Sequence, residues 1–451
     1  MSRRSTCLLF AALAGLVAAA PRSQDLLAKA PPQDRPVLLK NAVLHTVTGG
    51  VVLGGSLWFE HGRIGQVLPA DTAPTLPTGV EPLVLDLAGK HVFPGLVSAC
   101  TTLGLVEIGA VRQTNDLREV GETSPEATAA VALNPDSTAI PVARSNGVLT
   151  AGVFPDGGLL PGRASVIRLD GWTNADMTVR GAAGPVVAWP ADSRSRRSRR
   201  GPDRGEAERS GDGDGDSATR KARRRIDDAF TAARAWLDAR TADPTVALDV
   251  RHEALVDALR GEVPVFLLAD EQEQIESAVR WATSRQLRAV VVGGRDAEAC
   301  ATLLRERNVP VIVNGVHRLP RRDDSAYDEA FTLPARLAAQ GVRFCIGTGS
   351  DFSNDRNLPY HAATAAAFGL DRQRALRAIT QDAAEILGVG DRLGSLAPGK
   401  EATLFVADGH PFDLTTHIEL AFVQGRQVDL RNKQTELAEK YRERYRQLRG
   451  R

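Results

Sequence analysis

The middle of the chain repeats one pattern, in which a short apolar run rich in Val and Ile is followed by a segment with the apolar spacing of an amphipathic helix. The runs are VPVFLLAD (263–270), AVVVGG (289–294), VPVIVNG (309–315) and VRFCIGTGS (342–350), and helical segments such as EQEQIESAVRWATSRQ (271–286) separate them. Strands that are apolar on both faces are buried on both faces, which is typical of a parallel sheet covered by helices.

Two folds fit a parallel sheet of this length: an eight-fold β/α barrel and an open doubly wound sheet. No glycine-rich dinucleotide turn follows an early strand, and this favours the barrel. We therefore predict the fold class as α/β, with a (β/α)8 TIM-like barrel over residues 91–390.

Short β-rich runs occur at both ends of the chain, in residues 36–90 and again in residues 391–430. They are separated by Gly and Pro, which is typical of a small β domain. We predict one β-sandwich domain assembled from both chain ends, with the barrel inserted between them. Residues 431–451 are predicted to form a charged C-terminal helix.

The first residues place Arg3 and Arg4 before an apolar run from Cys7 to Ala20, which is too short to span a bilayer comfortably. Residues 1–20 are predicted to be a signal peptide, the alternative being a retained anchor. We expect an exported protein, periplasmic or extracellular, with no membrane contact after cleavage. The 56 basic and 55 acidic residues nearly cancel, so the composition does not indicate a nucleic-acid partner.

Residues 191–225 contain almost no apolar side chains and carry blocks of both charge signs, which predicts a disordered insertion in the barrel. After signal cleavage three cysteines remain, Cys100, Cys300 and Cys345. Their odd number and wide spacing indicate no disulfide framework.

Two stretches resemble a known family. VFPGLVSACTTLGL (92–105) and DRQRALRAITQDAAEILGVGDRLGSLAPGKEATLFVADG (371–409) resemble the first barrel strand and the return segment of the amidohydrolase superfamily, in its imidazolonepropionase-like branch. The resemblance covers residues 37–428. It implies a metal-dependent hydrolase of amide C–N bonds, in which a divalent metal of the zinc type generates hydroxide and polarises the carbonyl.

The metal ligands that the resemblance implies are substituted in this chain. The histidine pair after the first strand falls on Cys100 and Thr102, the fifth-strand histidine falls on Leu268, and the sixth-strand histidine falls on Gly293. We therefore predict a degenerate metal site, without standard binuclear catalysis, that holds no metal or one weakly bound divalent metal.

Several remaining side chains are candidates for a reduced metal site: Asp270 after strand five, Asp351 and His361 after strand eight, and Cys100. Oxygen and single imidazole ligands can still hold a metal, with lower affinity. The alternatives are a turn cap for Asp351, a capping or packing role for His361 and a packing role for Cys100.

Other candidates concern catalysis and substrate binding. Asp351 and His317 are the candidate catalytic residues, because both follow barrel strands where chemistry is placed in this fold. His361, Glu107 and Arg112 are candidate substrate-binding residues. The charges of the loop after strand one could instead pair with one another at the surface.

Two hypotheses on function follow. The first is a hydrolase of non-peptide or dipeptide-like amide bonds with an eroded metal site. The second is a non-catalytic exported barrel, a pseudoenzyme, that binds a small molecule or a protein in the same mouth. No Gly-x-Ser-x-Gly elbow, P-loop or CxxC motif suggests another class of enzyme. The expected partner is a small amide-type substrate or ligand, and the sequence does not specify the oligomeric state.

Overall fold

The computed structural model describes residues 27–72, 74–75, 81–192, 212–320, 322, 324–349 and 352–450. The predicted signal peptide (1–20) and Asp351 lie outside these residues, as does most of the charged segment between 192 and 212. No helix in the described part of the chain is long and apolar enough to cross a membrane.

The described strands form two sheets. In chain order they are β1 (Val37–His45), β2 (Val51–Glu60), β3 (Arg63–Leu68), β4 (Leu83–Asp86), β5 (His91–Pro94), β6 (Leu96–Thr101), β7 (Val148–Val153), β8 (Gly162–Arg168), β9 (Thr178–Ala188), β10 (Val265–Ala269), β11 (Ala289–Gly293), β12 (Val311–Asn314), β13 (Phe344–Gly347), β14 (Leu404–Ala407), β15 (Ile418–Val423) and β16 (Arg426–Gln427).

The helices lie mainly between the barrel strands and after them. They are α1 (Ala139–Arg144), α2 (Asn174–Met177), α3 (Asp212–Ala242), α4 (Val250–Glu253), α5 (Val256–Leu259), α6 (Gln272–Ser284), α7 (Ala301–Glu306), α8 (Glu329–Ala339), α9 (Leu358–Ala367), α10 (Arg372–Ala378), α11 (Gln381–Ile386) and α12 (Lys433–Arg449), with short 3₁₀ turns at Arg112–Thr114, Ala129–Val131, Ala297–Cys300 and Phe352–Asn357.

The barrel is the sheet β6 to β13, whose strands lie side by side in chain order. Strands β9 to β13 are parallel to one another. Strands β10 to β13 are almost wholly buried, whereas the first half of β9 is partly exposed. The inner faces pack around aromatic and aliphatic side chains such as Phe154, Phe266 and Ile312. The predicted barrel fold is confirmed.

One barrel strand departs from the parallel arrangement that the apolar runs predict. β8 is antiparallel to both neighbours, with Ala151 opposite Ile167 and Gly162 opposite Val186. The connections before and after β8, residues 154–161 and 169–177, hold at most the single turn α2. A parallel strand needs a long crossover whereas an antiparallel strand needs only a short turn, so these connections dictate the reversal.

The charged segment predicted to be disordered as far as Arg225 is instead helical from Asp212, and this part of the prediction is wrong. Helix α3 is anchored by Ile226, Phe230 and Ala233, which are fully buried. Their i, i+4, i+7 spacing places them on one face. The buried residues of this face begin directly after the basic run that ends at Arg225. The composition of that run therefore does not indicate the helix.

The small domain is a sheet in the order β16-β15-β14-β5-β1-β2-β3, with β4 paired to β1. Strands from both chain ends meet where β5 pairs with β14. The chain passes from this sheet into the barrel at Gly95, where a Cβ atom would lie 2.8 Å from the Cβ of Leu149. The backbone of β5 can therefore continue directly into β6 only through a glycine.

A buried ionic network joins the barrel to the return segment. Arg168 on β8 binds both carboxylate oxygens of Glu401, at 3.1 and 2.9 Å, and Arg392 donates to the same carboxylate at 2.6 Å. The side chains of Arg168 and Glu401 are 5% and 3% exposed. Paired charges that are fully hydrogen bonded can be buried. Burying either charge without its partner costs much free energy.

We expect Glu401→Ala to lower the free energy of unfolding by about 3 to 5 kcal/mol, because it leaves two guanidinium groups without their buried partner. Urea denaturation at pH 7 measures the change. Glu443→Ala is the control, since it removes an exposed ion pair with Arg446 on α12 and should leave the unfolding curve in place. Equal effects of the two substitutions would contradict the stabilising role of the network.

Candidate functional site

A cavity of about 480 Å³ opens at the carboxyl ends of the barrel strands, and we call it the mouth cavity. Its lining residues come from the ends of β6, β9, β10, β11 and β12 and from segments that follow the barrel strands, including those after β7 and β13: Cys100, Thr101, Thr102, Phe154, Pro155, Asp156, Ala188, Trp189, Ala191, Leu268, Ala269, Asp270, Gln274, Val292, Gly293, Arg295, Asn314 and Gly349. This is the end of a β/α barrel at which ligands bind.

The four substituted ligand positions, Cys100, Thr102, Leu268 and Gly293, all line the mouth cavity. The cavity is therefore the place where the implied metal would lie. Burial, and then the carboxylates of Asp355 and Asp156, raise the pKa of the Cys100 thiol to about 12. At neutral pH Cys100 is consequently an uncharged thiol, and no member of the set carries a metal-binding charge.

Gly293 makes room for an acidic side chain. Its φ of +109° is in the left-handed region, and a Cβ atom there would lie 2.5 Å from Oδ1 of Asp270. Asp270 occupies this space and forms an ion pair with Arg295, Nε to Oδ2, at 3.5 Å. The one predicted oxygen ligand that lines the cavity is thus already paired with a cation.

Asp355, which the sequence did not suggest, is the centre of a buried cluster beneath the mouth cavity. Its Oδ1 accepts hydrogen bonds from Ser98 at 2.6 Å and from Thr348 at 2.9 Å, and its Oδ2 accepts from Thr101 at 2.5 Å. Asp355 is fully buried on the 3₁₀ turn after β13. Ser98 and Thr101 in the otherwise apolar strand β6, and Thr348 directly after β13, are the sequence features that could have indicated a buried polar cluster.

His361 and His317 do not line the mouth cavity, so their predicted roles there are not supported by the geometry. The backbone N–H of Val316 donates to Nδ1 of His361 at 3.1 Å, which fixes the neutral Nε2–H tautomer. Burial, and then His317, lower the pKa of His361 to about 3. The two rings pack at 4.0 Å, and Nε2 of His317 bonds Thr364. This pair holds the loop after β12 against α9.

Glu107 and Arg112 also lie away from the mouth cavity. Glu107 accepts hydrogen bonds from the backbone N–H and hydroxyl of Thr138 and so supports the start of α1. Arg112 is exposed on a 3₁₀ turn. A role for either in substrate binding would require the loop after β6 to move.

The described residues do not fit a bound catalytic metal. No group of three His, Cys, Asp or Glu side chains among them converges at ligand distance. The mouth cavity offers a protonated thiol, a paired carboxylate and a glycine where ligands are implied.

Comparisons with known proteins agree with this fold. Residues 279–433 match the model of the amidohydrolase family. An amidohydrolase from Thermotoga maritima MSB8 is similar over 88% of this chain and 100% of its own, with 24% identity and a TM-score of 0.75. A putative prolidase from Bifidobacterium longum covers 88% of this chain and 95% of its own, with 20% identity and a TM-score of 0.52.

A molinate hydrolase is similar over 90% of this chain and 96% of its own, with 16% identity and a TM-score of 0.55. A comparison with curated proteins found no match. The protein has the amidohydrolase fold, and residues 279–433 carry the sequence pattern of that family. The predicted resemblance to the amidohydrolase superfamily is confirmed.

The buried neutral His361 makes stability depend on pH. An unfolded histidine has a pKa near 6.5, so between about pH 6.5 and 3 the unfolded chain binds a proton that the folded chain does not. The stabilisation is complete above pH 6.5 and is lost as the pH falls. This one group contributes a slope of at most about 1.4 kcal/mol per pH unit.

We expect His361→Asn to flatten this dependence, because the amide oxygen can still accept from Val316 and does not titrate. Urea unfolding at pH 7, 6 and 5 gives the slope for the variant and the wild type. His417→Asn changes an exposed side chain and serves as the control. A slope that is unchanged in His361→Asn would show that His361 is not neutral in the fold.

Proposed function

We propose that the mouth cavity binds a small polar molecule and that it does not carry out the metal-dependent amide hydrolysis that the fold suggests. One observation carries the proposal: the four positions where metal ligands are implied form an uncharged wall of the cavity, namely a protonated thiol, a hydroxyl, an isobutyl group and a glycine. This wall can contact a ligand but has no donor set for a metal.

The size and chemistry of the cavity support ligand binding. A volume of about 480 Å³ lies within the range of small-molecule sites, roughly 300 to 1,000 Å³. Phe154 and Trp189 supply apolar surface, and the buried Oδ1 of Asn314 has no hydrogen-bond partner among the described residues. A buried acceptor without a partner is costly, so a ligand donor or a water there is favourable.

The charged pair of Asp270 and Arg295 adds polarity to one wall. Its 3.5 Å separation is long for a charge-assisted hydrogen bond, and both side chains are partly exposed. A ligand carrying an amide or a charged group could therefore contact either partner without breaking a tight ion pair. This is consistent with an amide-type ligand.

Hydrolysis of C–N bonds with one metal is the second candidate function. The match to the amidohydrolase family over residues 279–433 favours it, because that stretch includes Asp351 as well as His361. Such a site would need donors beyond the described side chains of the mouth cavity. Metal content and activity therefore discriminate the two candidates.

We expect purified protein that has never met a chelator to contain far less than one zinc, manganese or iron per chain, as measured by elemental analysis. We also expect no hydrolysis of N-acyl amino acids, dipeptides or lactams, with or without added Zn²⁺. Stoichiometric metal together with turnover that chelation abolishes would overturn the proposal in favour of the hydrolase.

Binding is tested with the same compounds by thermal shift, because a ligand that binds the folded state stabilises it by about 2.7 kcal/mol at a concentration 100 times its Kd. A compound that stabilises the wild type should lose its effect in Leu268→Trp, which fills the mouth cavity. Leu53→Trp, at an exposed position of β2, is the control and should bind normally. Equal binding by both variants would place the ligand elsewhere.

A further inference from the structure

The barrel has one joint that differs from the others. Each neighbouring pair from β6 to β13 is connected by a backbone ladder, but the ladder does not continue from β13 back to β6. The two strands nevertheless lie next to each other. We call this joint the seam. A sheet closes into a barrel only if its first and last strands are held together.

The Asp355 cluster lies across the seam. Ser98 and Thr101 belong to β6, and Thr348 directly follows β13. All three hydroxyl groups donate to the one carboxylate of Asp355. Ser98, Thr101 and Asp355 are fully buried. The seam is therefore bridged by side-chain hydrogen bonds in the absence of backbone ones.

We propose that Asp355 is a positioning residue that closes the seam and thereby shapes the mouth cavity. Thr101 lines that cavity, and so does Gly349, the neighbour of Thr348. Asp355 thus sets the distance between two of the cavity walls. The closure of the seam stands independently of any ligand, whereas the effect on ligand binding rests on the proposed function.

The chemistry of a carboxylate suits this position. An ionised carboxylate only accepts hydrogen bonds and has about four acceptor sites, so it can satisfy three hydroxyl donors at once. The three hydroxyl oxygens lie 2.5 to 2.9 Å from the carboxylate oxygens, within the range of O–H···O hydrogen bonds. Asparagine has only one acceptor oxygen and adds two donors, which the seam cannot use.

The buried cysteines provide a local readout of seam opening. Cys100 is on β6 and Cys345 is on β13, one on each side of the seam, and both pack in the barrel interior. Cys300 lies elsewhere, on the turn before α7, with its Sγ 3.6 Å from the carbonyl oxygen of Gln272. Local opening exposes a buried group without global unfolding. Opening of the seam would expose Cys100 and Cys345, whereas global unfolding would expose Cys300 as well.

The experiment is native-state alkylation with iodoacetamide at pH 8, with each cysteine followed by peptide mass spectrometry. We expect Asp355→Ala to accelerate the labelling of Cys100 and Cys345 by at least about tenfold relative to Cys300. Asp355→Asn should show an intermediate effect, since one acceptor oxygen remains. Thr348→Val removes a single donor and should act in the same direction if Asp355→Ala fails to fold.

Asp170→Asn is the matched control. Asp170 is also a buried carboxylate, paired with Arg144 and Arg426 away from the seam. Its substitution should lower global stability and accelerate all three thiols by one common factor. If Asp355→Ala or Thr348→Val likewise accelerates all three equally, or accelerates none, Asp355 is a general stabilising residue and the seam proposal is overturned.

The effect on the mouth cavity has a separate readout. A compound that stabilises the wild type should bind Asp355→Asn at least about tenfold more weakly, at a temperature where the variant is fully folded. Unchanged affinity would overturn the positioning role and leave seam closure intact. If no compound binds the wild type, the proposed function fails, and the labelling result still decides the seam.

Discussion

A barrel made from an eight-stranded sheet must hold its last strand against its first, and here that joint is made by one carboxylate and three hydroxyl groups. Backbone ladders are strong because they repeat along the strands, whereas the seam concentrates its hydrogen bonds in a single buried cluster. The position of Asp355 therefore controls how the two ends of the sheet face the mouth cavity.

A second buried charge cluster holds the barrel and the small domain together. Glu401 lies just before β14, and it binds guanidinium groups from β8 and from the segment after α11. Three parts of the chain that are far apart in sequence thus depend on one acid. The contact therefore links the barrel to the small sheet, which is assembled from both chain ends.

Much of the fold could be predicted because its signals are local. Strands β10 to β13 are apolar on both faces and alternate with amphipathic helices, so periodicity alone indicates them. The reversal of β8 could not be predicted in this way, because direction depends on the length of its flanking connections. Helix α3 was missed because its buried residues, Ile226, Phe230 and Ala233, follow a run whose charges indicate disorder.

The site was harder to predict, since it depends on contacts between distant strands. Cys100 and Leu268 line the mouth cavity, and their positions near the ends of barrel strands are readable from the order of the strands. Asp351 and His361 are the residues after strand eight that the sequence suggests, whereas two of the three partners of Asp355 lie 254 and 257 residues away in the chain. No spacing rule within one segment can find such a cluster.

The glycine at position 293 makes it difficult to place a metal ligand at the end of β11. A histidine introduced there would have to adopt a φ of +109°, which side chains disfavour, and its Cβ would meet Oδ1 of Asp270 at 2.5 Å. An imidazole at this position would first require that Asp270 leave its place beside Arg295 and that the end of β11 take a new backbone conformation. A single substitution that introduces a metal ligand at position 293 therefore destabilises the protein before any metal is bound.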